Sequence, residues 1–452
     1  MAAVSPARIL ARREERRGDQ LRLLARASAV VSVTIVSPGP DKDDRTARHA
    51  CTRAVAAVQR RLRESRWPVL GAQNVRAATG PEYLVAVEAP AVALKEALVD
   101  LEETHALGRL WDLDVVTGPD VDGLPVIIGR SALHRRPRRC LVCEQEAAGC
   151  ARSARHPLAQ VLASRRRLVA AESQSQTDAD LAVRALITEA RLSPKPGLVD
   201  SFSTGSHDDM DLALLERSAR ALRPWLRACW LTGARQPGSV EPLVRIGVAA
   251  EADLMAVTGG VNTHRGALFA MGLLMGALGA EHSTPSCAAF DGCRLERLRG
   301  RVADLAAPLL QTWQATASGS VSHGSAAFRA LGVTGARGEA ASGFATAATI
   351  GLPAYRERRR STGDEDDAQR WALVNLMAEN ADTNLVHRGG EPGLRFARTW
   401  ARELVERRPD PAALTAAMSA AEAPFVARRL SPGGSADLLA LTWLLDRLAP
   451  IA

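Results

Sequence analysis

Two aspartates one residue apart, Asp112 and Asp114, sit in the run Gly108-Arg109-Leu110-Trp111-Asp112-Leu113-Asp114-Val115. On a β-strand alternate side chains share a face, which sets these carboxylates about 7 Å apart along the strand. Carboxylates held side by side repel each other unless a cation lies between them. A strand-borne Asp-x-Asp is how nucleotidyl-transfer sites hold Mg2+, although exposed acids at a strand end are the plainer alternative. Trp111 and Leu113, on the opposite face, fit a strand half buried in a core.

Cys140, Cys143, Cys150 and His156 follow closely. Three thiols and an imidazole at this spacing match the ligand set of a structural Zn2+ site. Reduced thiols with His156 on a phosphate is the alternative. Arg135, Arg136, Arg138, Arg139, Arg152 and Arg155 surround either arrangement with positive charge. Of 58 basic residues only Lys42, Lys95 and Lys195 are lysines. A lysine gives a compact ammonium where a planar guanidinium does not serve. Lys42 ends the turn Pro38-Gly39-Pro40-Asp41-Lys42 after an apolar run, and Lys95 lies on a helix ending near His105. With Arg109 they are the phosphate-handling residues expected in this half.

The second half carries four polar loops. In Leu192-Ser193-Pro194-Lys195-Pro196-Gly197-Leu198-Val199-Asp200 two prolines flank Lys195 and reduce the entropy lost in fixing its ammonium. Gly205-Ser206-His207-Asp208-Asp209-Met210-Asp211 follows, its acids at a helix start where capping is also a sufficient role. Thr258-Gly259-Gly260-Val261-Asn262-Thr263-His264-Arg265-Gly266 offers backbone amides and a helix N-terminus to an anion. The third and fourth are Gly335–Gly343, with Arg337 and Glu339, and Asp382–Gly390, with Asn384 and Arg388; Ser431–Asp437 lies further on. None has the spacing of a P-loop.

The elements that must position these residues divide the chain. Residues 1–171 read as α/β: helices near 6–27, 45–66 and 90–105 alternate with strands near 30–36, 82–87, 110–116 and 126–128. Residues 172–177 (ESQSQT) read as a linker with Thr177 as N-cap of the next helix. Residues 178–452 read as all-α. The charge is uneven: residues 1–171 hold 28 Lys and Arg against 19 Asp and Glu, a balance of +9, while the remainder holds 30 against 31. Residues 130–167 alone hold ten arginines and two glutamates, which favours anionic ligands. No apolar run is long enough to span a membrane, and the N-terminus lacks a secretory core. Seven cysteines without such a signal suit a reduced, cytoplasmic setting.

GRLWDLDV and RRCLVCEQEAAGCARSARH, with PGPDK, resemble the apo-citrate lyase phosphoribosyl-dephospho-CoA transferases over most of residues 5–170. SPKPGLVD, GSHDDMD, TGGVNTHRG, GARGEAASGF, DTNLVHRGG and SPGGSADLLA resemble the triphosphoribosyl-dephospho-CoA synthases across 178–450. Arg265 stands where such synthases often have lysine, and Ser193 where threonine is common. The resemblance implies a nucleotidyltransferase-like first domain with Mg2+ on Asp112 and Asp114. It implies a second domain that joins ATP to 3′-dephospho-CoA with loss of adenine. The product's phosphoribosyl-dephospho-CoA group would pass to a serine of the acyl-carrier (gamma) subunit of citrate lyase, releasing pyrophosphate.

Such a substitution at C1′ needs a carboxylate to take the hydroxyl proton, a role open to Asp208, Asp209, Asp211 or Glu339. Lys195, Arg265, Arg337 and Arg388 would meet the triphosphate, with the amides of Gly259 and Gly260, and with Asn262 and Asn384 nearby. His207 or His264 would protonate adenine. Neither nucleic acid nor membrane is an expected partner. Three other readings stand beside this one: the same chemistry serving malonate decarboxylase, a synthase fused to a zinc-containing nucleic-acid-binding module, and a first half that only docks the carrier.

Overall fold

A computed structural model describes residues 4–284, 294–316 and 333–450. The chain divides into two compact units, Met1–Ser173 and Gln174–Ala452.

The first unit is built on a five-stranded antiparallel sheet of order β2-β3-β1-β4-β5. Its strands are β1 (Ala29–Ile35), β2 (Val69–Ala77), β3 (Gly80–Val87), β4 (Trp111–Pro119) and β5 (Pro125–Ile128). Helices α2 (Arg45–Glu64) and α3 (Ala91–Thr104) cover one face, where Val31, Val33, Val85, Trp111 and Leu113 form the main core. Leu23 and Leu24, on α1 (Pro6–Leu24), pack on the other face against Val30, Leu84, Ala86 and Val116. With both faces covered, β1 and β3 are apolar without alternation, which is why their sequences read as strands. Strand β2 was not expected. It is an edge strand of alternating exposure, interrupted by a bulge between Val69 and Gly71, and its mixed polar sequence lacks a β-branched run.

The register places Thr34 opposite Asp112 and Ser32 opposite Asp114, so the two acids share the face on which α1 packs. Strand β5 pairs with β4 only from Val115 onward. At Leu113 the outer edge of β4 therefore has no strand neighbour, and side chains of α3 replace it. Glu102 accepts from Leu113 N at 2.8 Å, and Lys95 Nζ donates to Leu113 O at 2.7 Å.

Residues 172–177 are a correction. Helix α5 (Leu158–Arg191) runs through them without a break, so Thr177 lies inside a helix rather than at its N-cap. Their polarity has another cause: Glu172 is fully buried beneath His49 and Arg53, and the buried Asp178 accepts from Gln174 and from Trp230 Nε1. Short helix α4 (Ala147–Arg152) lies within the Cys/Arg segment.

Among the described residues the second unit has helices and no strand. They are α6 (Leu212–Arg235), α7 (Glu241–Thr258), α8 (Arg265–Ser283), α9 (Arg294–Thr316), α10 (Gly335–Ala341), α11 (Leu352–Thr362), α12 (Glu365–Glu379), α13 (Thr383–Arg407), α14 (Pro411–Ala427) and α15 (Gly433–Leu448). Helix α8 is buried almost all round and crosses α6 on glycines. A Cβ on Gly233 would lie 1.9 Å from Gly276 O, and one on Gly279 1.8 Å from Trp230 O. Backbones this close leave no room for a side chain. Two expected loops are helical instead. Residues 335–341 form α10, and Asp382 caps α13, which continues to a break at Gly390.

Candidate active sites

In the first unit the strand edge becomes a charged cluster. Lys95, 1 % exposed, also reaches Asp114 Oδ1 at 3.4 Å. Arg138 donates to Asp112 Oδ1 at 2.5 Å and to Glu102 Oε1 at 2.8 Å. Burial and repulsion from Asp112 hold the Asp114 carboxyl above the usual carboxylate range. Each acid of the pair thus has one cationic partner, and both carboxylates remain partly exposed, at 33 % and 37 %. Hard oxygen donors with open faces and an unfavourable mutual charge suit a small divalent cation. No expectation had included Glu102, which sits under the whole arrangement. Glu102 is one of four acids on α3, and nothing in the sequence separates it from Glu96, Asp100 and Glu103.

The expected phosphate residues fall in different places. Lys42 is half-buried and donates to Ser37 O at 2.6 Å. Burial and the Arg165 charge lower the pKa of its ammonium. Arg165, buried on α5, holds both oxygens of Asp44 at 2.7 Å. Arg109 is turned away from the aspartates, donating to Cys140 O at 3.3 Å and to Glu144 at 2.9 Å. It anchors the cysteine segment. There the donor atoms of Cys140, Cys143, Cys150 and His156 all lie within 4.8 Å of one another, a group able to hold a metal ion.

In the second unit the Lys195 loop, the His207 loop, the start of α13 and residues 429–437 converge. Glycines permit it: a Cβ on Gly197, at φ +73°, would lie 2.1 Å from Leu430 O. Ser206 Oγ donates to Leu430 O at 2.7 Å, and His207 Nε2 lies 2.9 Å from Ser431 Oγ. Arg388 donates to Ser206 O at 2.8 Å, and its other nitrogen lies 3.0 Å from His207 Nδ1. Burial and the Arg388 charge lower the His207 pKa.

Beneath this surface lies a charged interior. Lys195 is 1 % exposed, and its ammonium donates to Glu189 O at 2.6 Å and to Glu189 Oε1 at 2.5 Å. His264 is buried, with Nδ1 2.7 Å from Ser218 Oγ. Burial and the Lys195 charge push its imidazole down to about 4. Asp382 accepts from Ser435 N, Ser435 Oγ and Asn384 N at 2.8, 3.0 and 2.9 Å. Asp437 packs against Gly266, where a Cβ would lie 2.2 Å from Oδ2. Burial and the charges of Glu189 and Asp382 raise the Asp437 carboxyl well above the usual range. Glu189, Asp382 and Asp437 were not among the expected site residues. Asp382 and Asp437 lie inside loops already read as polar; Glu189 reads as an ordinary helix acid.

The other expected residues are distributed as follows. Asp211 caps α6, accepting from Leu214 N at 2.8 Å. Asp208 is exposed and pairs with Arg429 at 2.6 Å, and Asp209 lies 3.7 Å from His207 Nδ1. Glu339, on α10, accepts from Thr346, and burial raises its carboxyl. Arg265 pairs with Glu251 at 2.8 Å. Arg337 lies over the rings of Trp313 and Phe269 at 5.0 and 5.7 Å, and among the described residues no carboxylate pairs with it. Asn384 is exposed beside Gly433. Exposed Asn262 joins neither cluster. The amides of Gly259 and Gly260 correct the expectation made of them: both donate to Met255 O, closing α7, and so are not directed at an anion.

An α/β unit with a paired-carboxylate strand and a helical unit with converging basic and acidic loops offer two candidate centres for anionic substrates. Residues 175–451 match the family model described as ATP:dephospho-CoA triphosphoribosyl transferase, and residues 4–172 match that of apo-citrate lyase phosphoribosyl-dephospho-CoA transferase. The chain is 36 % identical over 386 residues to Protein CitXG of Haemophilus influenzae, covering 80 % of this chain and 79 % of that one. It is 42 % identical over 274 residues to the 2-(5''-triphosphoribosyl)-3'-dephosphocoenzyme-A synthase of Klebsiella pneumoniae, covering 58 % of this chain and 88 % of that one. The synthase of the same name from Escherichia fergusonii is 42 % identical over 286 residues, 60 % of this chain and 91 % of that one. The chain belongs to the triphosphoribosyl-dephospho-CoA synthase family and carries the apo-citrate lyase transferase domain ahead of it. It is a bifunctional transferase that makes triphosphoribosyl-dephospho-CoA and transfers phosphoribosyl-dephospho-CoA to apo-citrate lyase.

Proposed function

We propose that synthesis runs at the Lys195–Glu189–His264–Asp437 cluster and transfer at Asp112 and Asp114. Asp437 packs against Gly266 at the start of α8, where burial and then the charges of Glu189 and Asp382 raise its carboxyl, and this placement carries the first assignment. In synthesis the 2′-hydroxyl oxygen of dephospho-CoA bonds to C1′ of the ATP ribose while the bond from C1′ to adenine breaks. Asp437, whose carboxyl is raised well above the usual carboxylate range, gives its proton to the departing adenine. Glu189, oriented by Lys195, takes the hydroxyl proton. His264, pushed down to about 4, is neutral at pH 7 and so orients rather than protonates. Arg337 and Arg265, on adjoining helices, meet the triphosphate, and Arg388 holds the loop at His207.

In transfer the serine hydroxyl of the citrate lyase acyl-carrier (gamma) subunit attacks the phosphorus next to the ribose, and pyrophosphate leaves. Asp112 and Asp114 would hold Mg2+, which supplies charge neutralisation at the phosphates. Lys95 fixes Asp114, and Arg138 fixes Asp112. The free thiols of the five described cysteines support a reducing, cytoplasmic location. No helix among the described residues is long and apolar enough to cross a membrane.

Adenine release from ATP and dephospho-CoA should fall as pH rises through the Asp437 pKa and should be nearly abolished in Asp437→Asn. An Asp437→Asn variant with parental kcat would overturn the assignment. Offering apo carriers of citrate lyase and of malonate decarboxylase in parallel tests the client, with preference for the former expected.

A further inference from the structure

We propose that Cys140, Cys143, Cys150 and His156 bind one Zn2+, and that this ion positions Arg138 on Asp112. Three sulfurs and one imidazole nitrogen are a closed structural donor set for this metal. Cys143 Sγ lies 3.6 Å from Cys150 Sγ, and His156 Nε2 lies 3.3 Å from Cys143 Sγ. Tetrahedral coordination with Zn–S bonds of about 2.3 Å sets neighbouring sulfurs about 3.8 Å apart. A disulfide needs about 2.05 Å. Val142 N points at Cys140 Sγ at 3.4 Å, an amide directed at a sulfur as a thiolate ligand requires.

Apart from polar ties such as those of Arg109 to Cys140 O and Ser164 to Leu141 O, the segment has a small apolar core. It contains one six-residue helix and an isolated bridge between Arg139 and Glu146, and of its first loop Leu141 alone packs against the main core. A metal cross-link supplies order that so small a core does not. That order is transmitted to the strand. Cys140 N donates to Gln145 O, and Ala147 N donates to Arg138 O, both at 2.8 Å, so closing the cysteine loop fixes the backbone at Arg138. The Arg138 guanidinium then bridges Glu102 and Asp112. From the opposite side, Arg109, which precedes Leu110, donates to Cys140 O. Arg138 is thus a positioning residue for the aspartate pair. This role rests on the transfer site proposed above; the metal site does not.

The test uses the full chain. Purified protein should contain about one Zn2+ per chain, and Co2+ in its place should give the visible absorption of a tetrahedral thiolate site. A zinc-selective chelator, with Mg2+ kept in excess, should abolish transfer to the apo carrier while adenine release continues, and added Zn2+ should restore transfer. Cys143→Ser should lose the metal and lose transfer with adenine release retained. Arg138→Gln should keep the metal, lower transfer at least tenfold and change the Mg2+ concentration giving half-maximal rate. Protein without Zn2+ that also fails to take up Co2+, or with Cys143 and Cys150 joined as a disulfide, overturns the metal site. A metal-free chain with parental transfer and parental Mg2+ dependence overturns the positioning role. If zinc binds as stated but Asp112→Asn transfers normally, the transfer-site assignment fails and the metal site stands.

Discussion

Lys195 places its ammonium between the backbone carbonyl and the carboxylate of Glu189, at 2.6 and 2.5 Å, where the lysine side chain is 1 % exposed and the glutamate 11 %. The two residues are six apart, at the end of α5 and in the loop that follows. A buried pair of this kind is costly to break on one side because the remaining charge loses its partner. Lys195→Met should destabilise the second unit by about 3–5 kcal/mol in urea unfolding. Adding Glu189→Gln should recover much of that loss without restoring adenine release. Recovery of both would make the pair structural only.

Asp112→Asn keeps the volume and removes the charge. Transfer to the apo carrier should fall by about two orders of magnitude or more, as expected when electrostatic stabilisation of a transferring phosphoryl group is lost. Adenine release should be unchanged, which serves as the internal control for folding. Phosphoribosyl-dephospho-CoA loading followed by carrier mass is the readout.

The His264 imidazole is pushed down to about 4 from an ordinary value of 6.5. Between these values the unfolded chain binds the proton and the folded chain does not, so stability falls as pH drops from about 6.5 to about 4, by about 3 kcal/mol in full. Buried carboxyls with raised values act in the opposite direction, so the useful quantity is a difference. The stability of the parent relative to His264→Asn should decline as pH falls through this window. A constant difference contradicts a neutral, buried His264.

Arg337 rests on Trp313 and Phe269 rather than on a carboxylate. Stacking orients a guanidinium without neutralising it, which leaves its charge for a phosphate. Arg337→Leu should raise the KM for ATP about tenfold or more, the cost of about 1.5–3 kcal/mol for a charged hydrogen bond, with a smaller effect on kcat. Ring contact alone predicts a stability loss with KM unchanged.

The parts of the fold legible in the sequence are those fixed by local periodicity. Val30–Val36 and Glu82–Val87 read as strands because both faces are covered, and Asp112 and Asp114 share a face because the strand period is two. The Cys/His spacing is equally local. What was not legible depends on distant partners. Nothing near Glu102 or Arg138 indicates that they meet at Leu113 and Asp112, and nothing near Glu189 indicates Asp437. The polar run at 172–177 read as a linker because burial of Glu172 and Asp178 is decided by His49, Arg53 and Trp230. Gly259 and Gly260 read as an anion loop, but their φ angles of +66° and +93° serve to close a helix.

Incubating the full chain with ATP, Mg2+ and dephospho-CoA, first without and then with the apo acyl-carrier subunit, tests the two-centre account most directly. Adenine should be released without the carrier. On its addition, pyrophosphate should appear together with a carrier mass increase equal to one phosphoribosyl-dephospho-CoA group. Absence of adenine release, or carrier modification without a triphosphoribosyl intermediate, would contradict it.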